Sequence, residues 1–227
     1  MKKTFWIFKL FIVITLFTST SSFIKDKNLF IAVQQTGTVT DIDGNTYKTI
    51  KIGSQWWMAE NLKTTKFNDG TSIPMVSNDS AWSVLKTPAY CWYANDELNK
   101  NVYGALYNWF TIQTNKLCPK GWHVPTDEEW TTLSTYLGKM AGSKLKEVGT
   151  THWNVDTTRD CKFNALPGGS RFGLGTYGGI GEEGFWWTAT MFKNIYARCR
   201  NLYYNNPEIG RNNAYKTDGF SVRCVKD

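Results

Sequence analysis

Histidine is nearly missing from this chain of 227 residues: His123 and His152 are the whole supply. Two histidines leave little choice of base for a nucleophilic triad, and no Gly-x-Ser-x-Gly turn is present to carry the serine. Closely spaced cysteines are missing as well. The smallest gap among Cys91, Cys118, Cys161, Cys199 and Cys224 is the 25 residues between the last two. Neither a zinc ribbon nor a thioredoxin-like redox centre fits that spacing, and no metal or cofactor is expected. Clustered basic charge is absent too. Lysines and arginines are scattered apart from short pairings such as Lys144/Lys146 and Arg198/Arg200. A nucleic-acid reader would gather them on one stripe, so a nucleic-acid partner is not expected. The longest apolar run, Phe5 to Phe17, is interrupted by Lys9 and Thr15 and is too short for a comfortable membrane span.

What is present begins with targeting. Met1-Lys2-Lys3, that apolar run and the small residues Thr18 to Ser22 read as a signal peptide over residues 1–22. Retention as an N-terminal anchor is the competing reading. No cysteine precedes Cys91, which argues against a lipid-modified cysteine at the cut. A polar linker over 23–37 and a single domain over 38–227 follow, long enough for one substantial core. Without the lysines of the first 22 residues the net charge falls from +7 to +4. An exported chain folds in an oxidising compartment, so disulfides are expected. An odd cysteine count leaves at least one thiol over, and spacing alone leaves the connectivity open.

Local signals outline mixed structure. Asp43-Gly44 between the extended runs 38–41 and 46–52 predicts a hairpin. Asp41-x-Asp43-Gly44-Asn45 also resembles a calcium loop, but the position for the distant bidentate acid holds Ile52, and a turn is preferred. Asn68-Asp69-Gly70 is a second turn. Residues 89–94 read as a buried aromatic strand, and 104–111 as either helix or strand. Thr126-Asp127-Glu128-Glu129 is a capping box, followed by the stripe Trp130, Leu133, Leu137 and a stop at Gly138. Helix-start chemistry accounts for all three carboxylates. A shorter helix is expected over 141–148. Residues 168–184 hold eight of the nineteen glycines. Gly173-x-Gly175-x-x-Gly178 matches the dinucleotide fingerprint, but no helix follows to meet a pyrophosphate, and a long glycine-rich loop is the better reading. Strands are expected over 185–189, 196–204 and 219–225. The whole is α+β.

Six ordered motifs carry a resemblance. They are Asp43-Gly44-Asn45-x-Tyr47; Ile52-Gly53-x-Gln55-Trp56-Trp57-Met58-Ala59-Glu60-Asn61-Leu62; Tyr103-Gly104-x-Leu106-Tyr107-Asn108-Trp109; Cys118-Pro119-x-Gly121-Trp122-His123-Val124-Pro125-Thr126; Phe163-Asn164-Ala165-Leu166-Pro167-Gly168-Gly169; and Gly219-Phe220-Ser221-Val222-Arg223-Cys224-Val225. From about Val39 to Val225 the chain resembles the Fibrobacter succinogenes major paralogous domain family. That family is similar to the C-type-lectin-like fold and distantly to formylglycine-generating domains. The resemblance implies antiparallel sheets, paired terminal strands, two helices and a long-loop region, in a secreted or cell-surface protein. It also implies a Cys118–Cys224 bridge. Cys161–Cys199 is the second expected pair, which leaves Cys91 as a buried thiol.

The resemblance implies little about activity. Formylglycine-type cysteine oxidation needs two close cysteines near the C-terminus, and they are lacking. The sugar-and-calcium tripeptides of C-type lectins do not occur. Glu182-Glu183 is the one acidic pair outside the cap, and a solvated loop explains it. His123 reads as a packed or hydrogen-bonded core residue. What remains is a non-catalytic binding module for a glycan or a cell-surface protein. The alternatives are a structural part of a surface assembly and an enzyme acting on surface polymers. Strand alternation in Trp186-Trp187 and Tyr203-Tyr204 suggests one exposed ring in each pair. The expected ligand-binding set is Arg171, Trp187, Tyr203, Asn205, Asn206 and Arg211.

Overall fold

The computed structural model describes residues 34–154 and 161–227. The expected signal peptide and most of the linker lie outside the described residues. Strand β1 (Thr36–Thr40) begins inside the expected linker and pairs antiparallel with β2 (Thr46–Ile52). The turn between them is closed by an acid. Asp41 accepts from the backbone N–H groups of Asp43 and Asn45 at 3.0 and 2.9 Å, and from the Tyr47 hydroxyl at 2.6 Å. That geometry is an Asx-type turn, as the sequence predicts. β3 (Gln55–Met58) folds back on β2.

Short elements follow. α1 (Asp79–Ser83) is capped by the Asn78 side chain. β4 covers Tyr90–Cys91 alone, because the chain turns into a 3-10 segment at Tyr93–Asn95 and the expected strand over 89–94 is cut short. α2 (Asn99–Tyr103) leads to β5 (Leu106–Asn108), and the Asn108 side chain then caps α3 (Trp109–Ile112). The ambiguous stretch 104–111 is therefore strand and helix in succession. β6 (Trp122–His123) precedes α4 (Asp127–Leu137), which carries the predicted capping box at Thr126 and stops at Gly138. α5 (Ala141–Leu145) is shorter than expected.

The glycine-rich stretch is not a long loop. It forms a hairpin of β7 (Gly168–Arg171) and β8 (Tyr177–Ile180). Gly169 has φ +63°, and a Cβ there would lie 2.4 Å from the Gly178 carbonyl oxygen, so the close pairing requires glycine. Gly173 and Gly175 belong to the turn of this hairpin. β9 (Glu183–Lys193), β10 (Tyr196–Tyr203), β11 (Gly210–Tyr215), β12 (Gly219–Phe220) and β13 (Val225–Lys226) complete the chain.

Two sheets result, in the orders β1-β2-β3-β13-β6 and β11-β10-β9-β7-β12-β5-β4, with β8 on β7. All pairings are antiparallel except that of β7 with β9. The last strand enters the first sheet between β3 and β6 rather than beside β1. The fold is α+β. Five α-helices are described, and only α4 exceeds two turns, where the family resemblance implies two helices.

Cys118 and Cys224 form the one disulfide among the described residues. It sits in a core cluster with Tyr47, Tyr107, Trp187 and Phe220. A second cluster gathers Ile50, Trp57, Trp130, Phe163 and Trp186. The expected Cys161–Cys199 bridge is not formed. Cys199 points from β10 into the first cluster, whereas Cys161 packs against the second. Cys91 is a buried thiol, as expected.

His123 is half-exposed rather than core. Its Nδ1 lies 2.6 Å from Asp227 and its Nε2 2.9 Å from Glu129, so the imidazole clamps the last strand to the start of α4. Burial alone would lower its pKa, but the hydrogen bonds to Asp227 and Glu129 outweigh it and hold the group raised. A raised folded-state value contributes stability that is complete below the unfolded value of about 6.5 and fades as pH rises through the folded one. Wild-type melting temperature is expected to drop from pH 6 to pH 8 relative to His123→Gln. Parallel melting curves across that range would contradict the clamp.

Candidate functional site

The expected ligand-binding residues do not converge. Arg171 has no exposed surface. Its guanidinium donates to the carbonyls of Gly175, Val76 and Ser77 and to the Asp79 carboxylate, and lies 4.4 Å from the Trp82 ring centre. It fastens the β7–β8 hairpin to the loop before α1. Trp187 is also fully buried, its indole N–H donating to the Tyr107 carbonyl at 2.7 Å. Alternation does send Trp186 and Trp187 to opposite faces of β9, but both faces are covered. Tyr203, at the end of β10, packs edge-on against Phe185. Asn205 and Asn206 are exposed in the β10–β11 connection, with the Asn206 carbonyl taken by the buried Lys146 ammonium. Arg211 is exposed but committed to Asp127 through two contacts of 2.6 and 2.7 Å.

Two other surfaces offer more. One is a polar cleft of about 330 Å³ between the β2–β3 hairpin, α2 and the segment around His152. His152 Nδ1 lies 2.6 Å from Glu147, with the Tyr103 ring edge-on at 5.7 Å. Glu60 also lines the cleft and accepts from the Lys48 backbone N–H at 2.6 Å. The wall hydroxyls are engaged: Tyr47 donates to Asp41, and Thr46 meets Thr40. The arrangement can hold a polar group, but Tyr47, Thr46, Glu60 and His152 of its wall already have hydrogen-bond partners within the protein. Glu182 and Glu183 lie elsewhere, on and before β9. Burial, then the neighbouring Glu182 charge, pushes the Glu183 carboxyl up.

The second surface is an apolar groove of about 580 Å³ at the tip of the β9–β10 hairpin, between α1, α3 and the end of β11. The register of β9 against β10 shifts on either side of Ala197, with the extra residues on β9. Such bulges bend a strand and re-aim its side chains. Large apolar groups turn outward here: Met191 is 61% exposed and Ile195 57% on the hairpin, and Tyr215 52% on the neighbouring β11. Tyr196 and Tyr215 face each other across β10 and β11 with ring centres 4.7 Å apart. The hydrogen bond that the Tyr196 hydroxyl donates to Tyr215 holds the Tyr196 phenol above its usual range. Arg198 lies over the Phe192 ring at 4.2 Å, and Lys216 over Trp109 at 4.8 Å. Rings in contact with water on one side and apolar neighbours on the other suit recognition of a flat, partly apolar ligand.

The profile of the Fibrobacter succinogenes major domain matches residues 50–226. The chain belongs to that family. No curated protein and no solved structure matches it. The family match spans both surfaces, leaving out only Thr46, Tyr47 and Lys48 of the polar cleft. The aromatic groove was missed in the sequence because Gly210 to Tyr215 carries few strand-forming residues. Without β11, Tyr215 has no visible neighbour. The usable signal was the run Met191-Phe192-Lys193-Asn194-Ile195, where apolar side chains continue through a turn that solvation alone would make polar.

Proposed function

We propose that this chain is a non-catalytic binding module of C-type-lectin-like fold, secreted or held at the cell surface, and that it takes a glycan on the aromatic groove. The observation that carries the reading is the exposed Tyr215 lining the groove, with the half-buried Tyr196 against it and the exposed Phe192 on the same hairpin as Tyr196, whose strands are anchored in the core. Apolar faces of pyranose rings stack on such side chains, and Asn194 and Asn213 beside them can exchange hydrogen bonds with hydroxyls. The lectin-like reading is supported by the bridge from the segment before α4 to the end of the chain. No helix among the described residues is long and apolar enough to cross a membrane.

Affinity electrophoresis of the purified chain through a panel of soluble polysaccharides tests this. Saturable retardation is expected with at least one polymer. Tyr215→Ala should weaken it about tenfold, the loss usual for a ring central to a contact. Retardation by no polymer, or retention unchanged in a folded Tyr215→Ala protein, removes the glycan reading and turns the search to protein partners.

A further inference from the structure

The rim of the groove carries charge of one sign. Lys86 and Lys216 line it, Lys193 adjoins the lining residue Asn194, Arg198 lies over Phe192 of the same hairpin, and no aspartate or glutamate is among the lining residues. Five of the protein's other cations are matched by acids. Arg171, Arg200 and Arg211 reach carboxylates, as do Lys66 and Lys116. The four rim cations form no ion pair among the described residues. Three of them rest instead on aromatic rings: Lys193 at 5.3 Å and Arg198 at 4.2 Å from the Phe192 centre, and Lys216 at 4.8 Å from that of Trp109. The carboxylate nearest in sequence, Asp218, is buried and turned inward, accepting from the backbone N–H groups of Gly173 and Tyr215 at 2.6 and 2.9 Å.

We infer that the ligand of this groove is an anionic polysaccharide, one whose sugar rings bear carboxylate or sulfate groups. The inference rests on the glycan reading above and adds the charge of the ligand. Cations around a low-dielectric apolar floor concentrate positive potential there. A neutral glycan uses the rings and leaves that potential unanswered. A polymer of acidic sugars answers both features at once, because it presents apolar ring faces for Tyr196, Tyr215 and Phe192 and regularly spaced anions for the rim.

The test compares polymers that differ only in charge: polygalacturonate against its methyl-esterified form, and dextran sulfate against dextran, by affinity electrophoresis at two salt concentrations. At least one charged polymer binds about tenfold or more tighter than its neutral partner, and the difference shrinks with added salt. Replacing Lys86, Lys193 and Lys216 together with alanine narrows the gap by about tenfold or closes it. Preference for polygalacturonate assigns carboxylate as the anion, and preference for dextran sulfate assigns sulfate. Equal affinity for charged and neutral members overturns the inference and leaves the glycan reading standing. Retention by none of the four, with other polysaccharides of the panel still bound, overturns the inference alone, whereas a blank panel removes both. Polyglutamate bound as tightly as the best polysaccharide, with Tyr215→Ala without effect, shows a surface that reads charge only and overturns the assignment to a sugar polymer.

Discussion

Replacing Asp127 with alanine is expected to destabilise the protein by about 3–5 kcal/mol, the cost of stranding a buried charge. Asp127 stands in the first turn of α4, where its charge also meets the helix dipole. Its larger role lies in its two oxygens. Oδ1 takes the Arg200 guanidinium and Oδ2 takes that of Arg211. Arg200 is only 3% exposed and reaches the Asp127 carbonyl and the Thr131 hydroxyl as well. Without the carboxylate this guanidinium stays buried among neutral acceptors, while Arg211 is free to reach water. Urea denaturation of wild type and Asp127→Ala measures the difference, and a loss below about 1 kcal/mol would mean the pair contributes no more than a surface contact. Acidity gives a second signature. Burial would raise the Asp127 carboxyl, but the two arginines hold it below the usual range. Stability from such a group is present above the unfolded value of about 3.9 and is lost as pH falls through the folded one. The gap between wild type and Asp127→Ala should therefore narrow below about pH 4.

Opening the Cys118–Cys224 bridge is expected to cost about as much. The bridge spans 106 residues, and a loop near that length stabilises by about 4–5 kcal/mol through the entropy it removes from the unfolded chain. Its position adds to the effect, because Cys224 adjoins β13, the strand that joins β3 to β6. The double change Cys118→Ser/Cys224→Ser should lower the denaturation midpoint and raise the m-value, since the unlinked unfolded chain exposes more surface. The same shift should follow addition of reductant to wild type and should be absent in the double variant. A reductant effect that persists there would place the stabilising bridge elsewhere.

Legibility in the sequence followed the range of the interactions. The capping box at Thr126 and the Asp41 turn are written within four residues, and both stand as expected. The second role of Asp127 was not legible, because Arg200 and Arg211 lie 73 and 84 residues further on. Helix-start chemistry by itself accounts for an acid at that position. Arg171 was misread for a related reason: most of its partners are backbone carbonyls, and a carbonyl leaves no mark on the sequence. The tryptophan pair shows the limit of periodicity. Alternation gives the face a residue takes, but whether that face is covered depends on what packs there, here Phe220 on one side and Trp130 on the other. The family motifs located the bridge and the fold class. The groove stayed hidden because a hairpin tip is defined by register, and the bulges around Ala197 have no compositional signal.

β9 acts as a partition with an indole on each side. Trp187 closes one core cluster and Trp186 the other, so the strand's frame is common to both. A single residue inserted before Trp186 would turn each indole to the opposite face, so that neither cluster keeps its own. Past the bulges the frame has already slipped, and no residue of the Met191–Tyr196 tip belongs to either cluster. The tip can therefore lengthen, shorten or change its rings while the interior keeps its fit. Sequence change can accumulate at this one place without being tested against the stability of the rest.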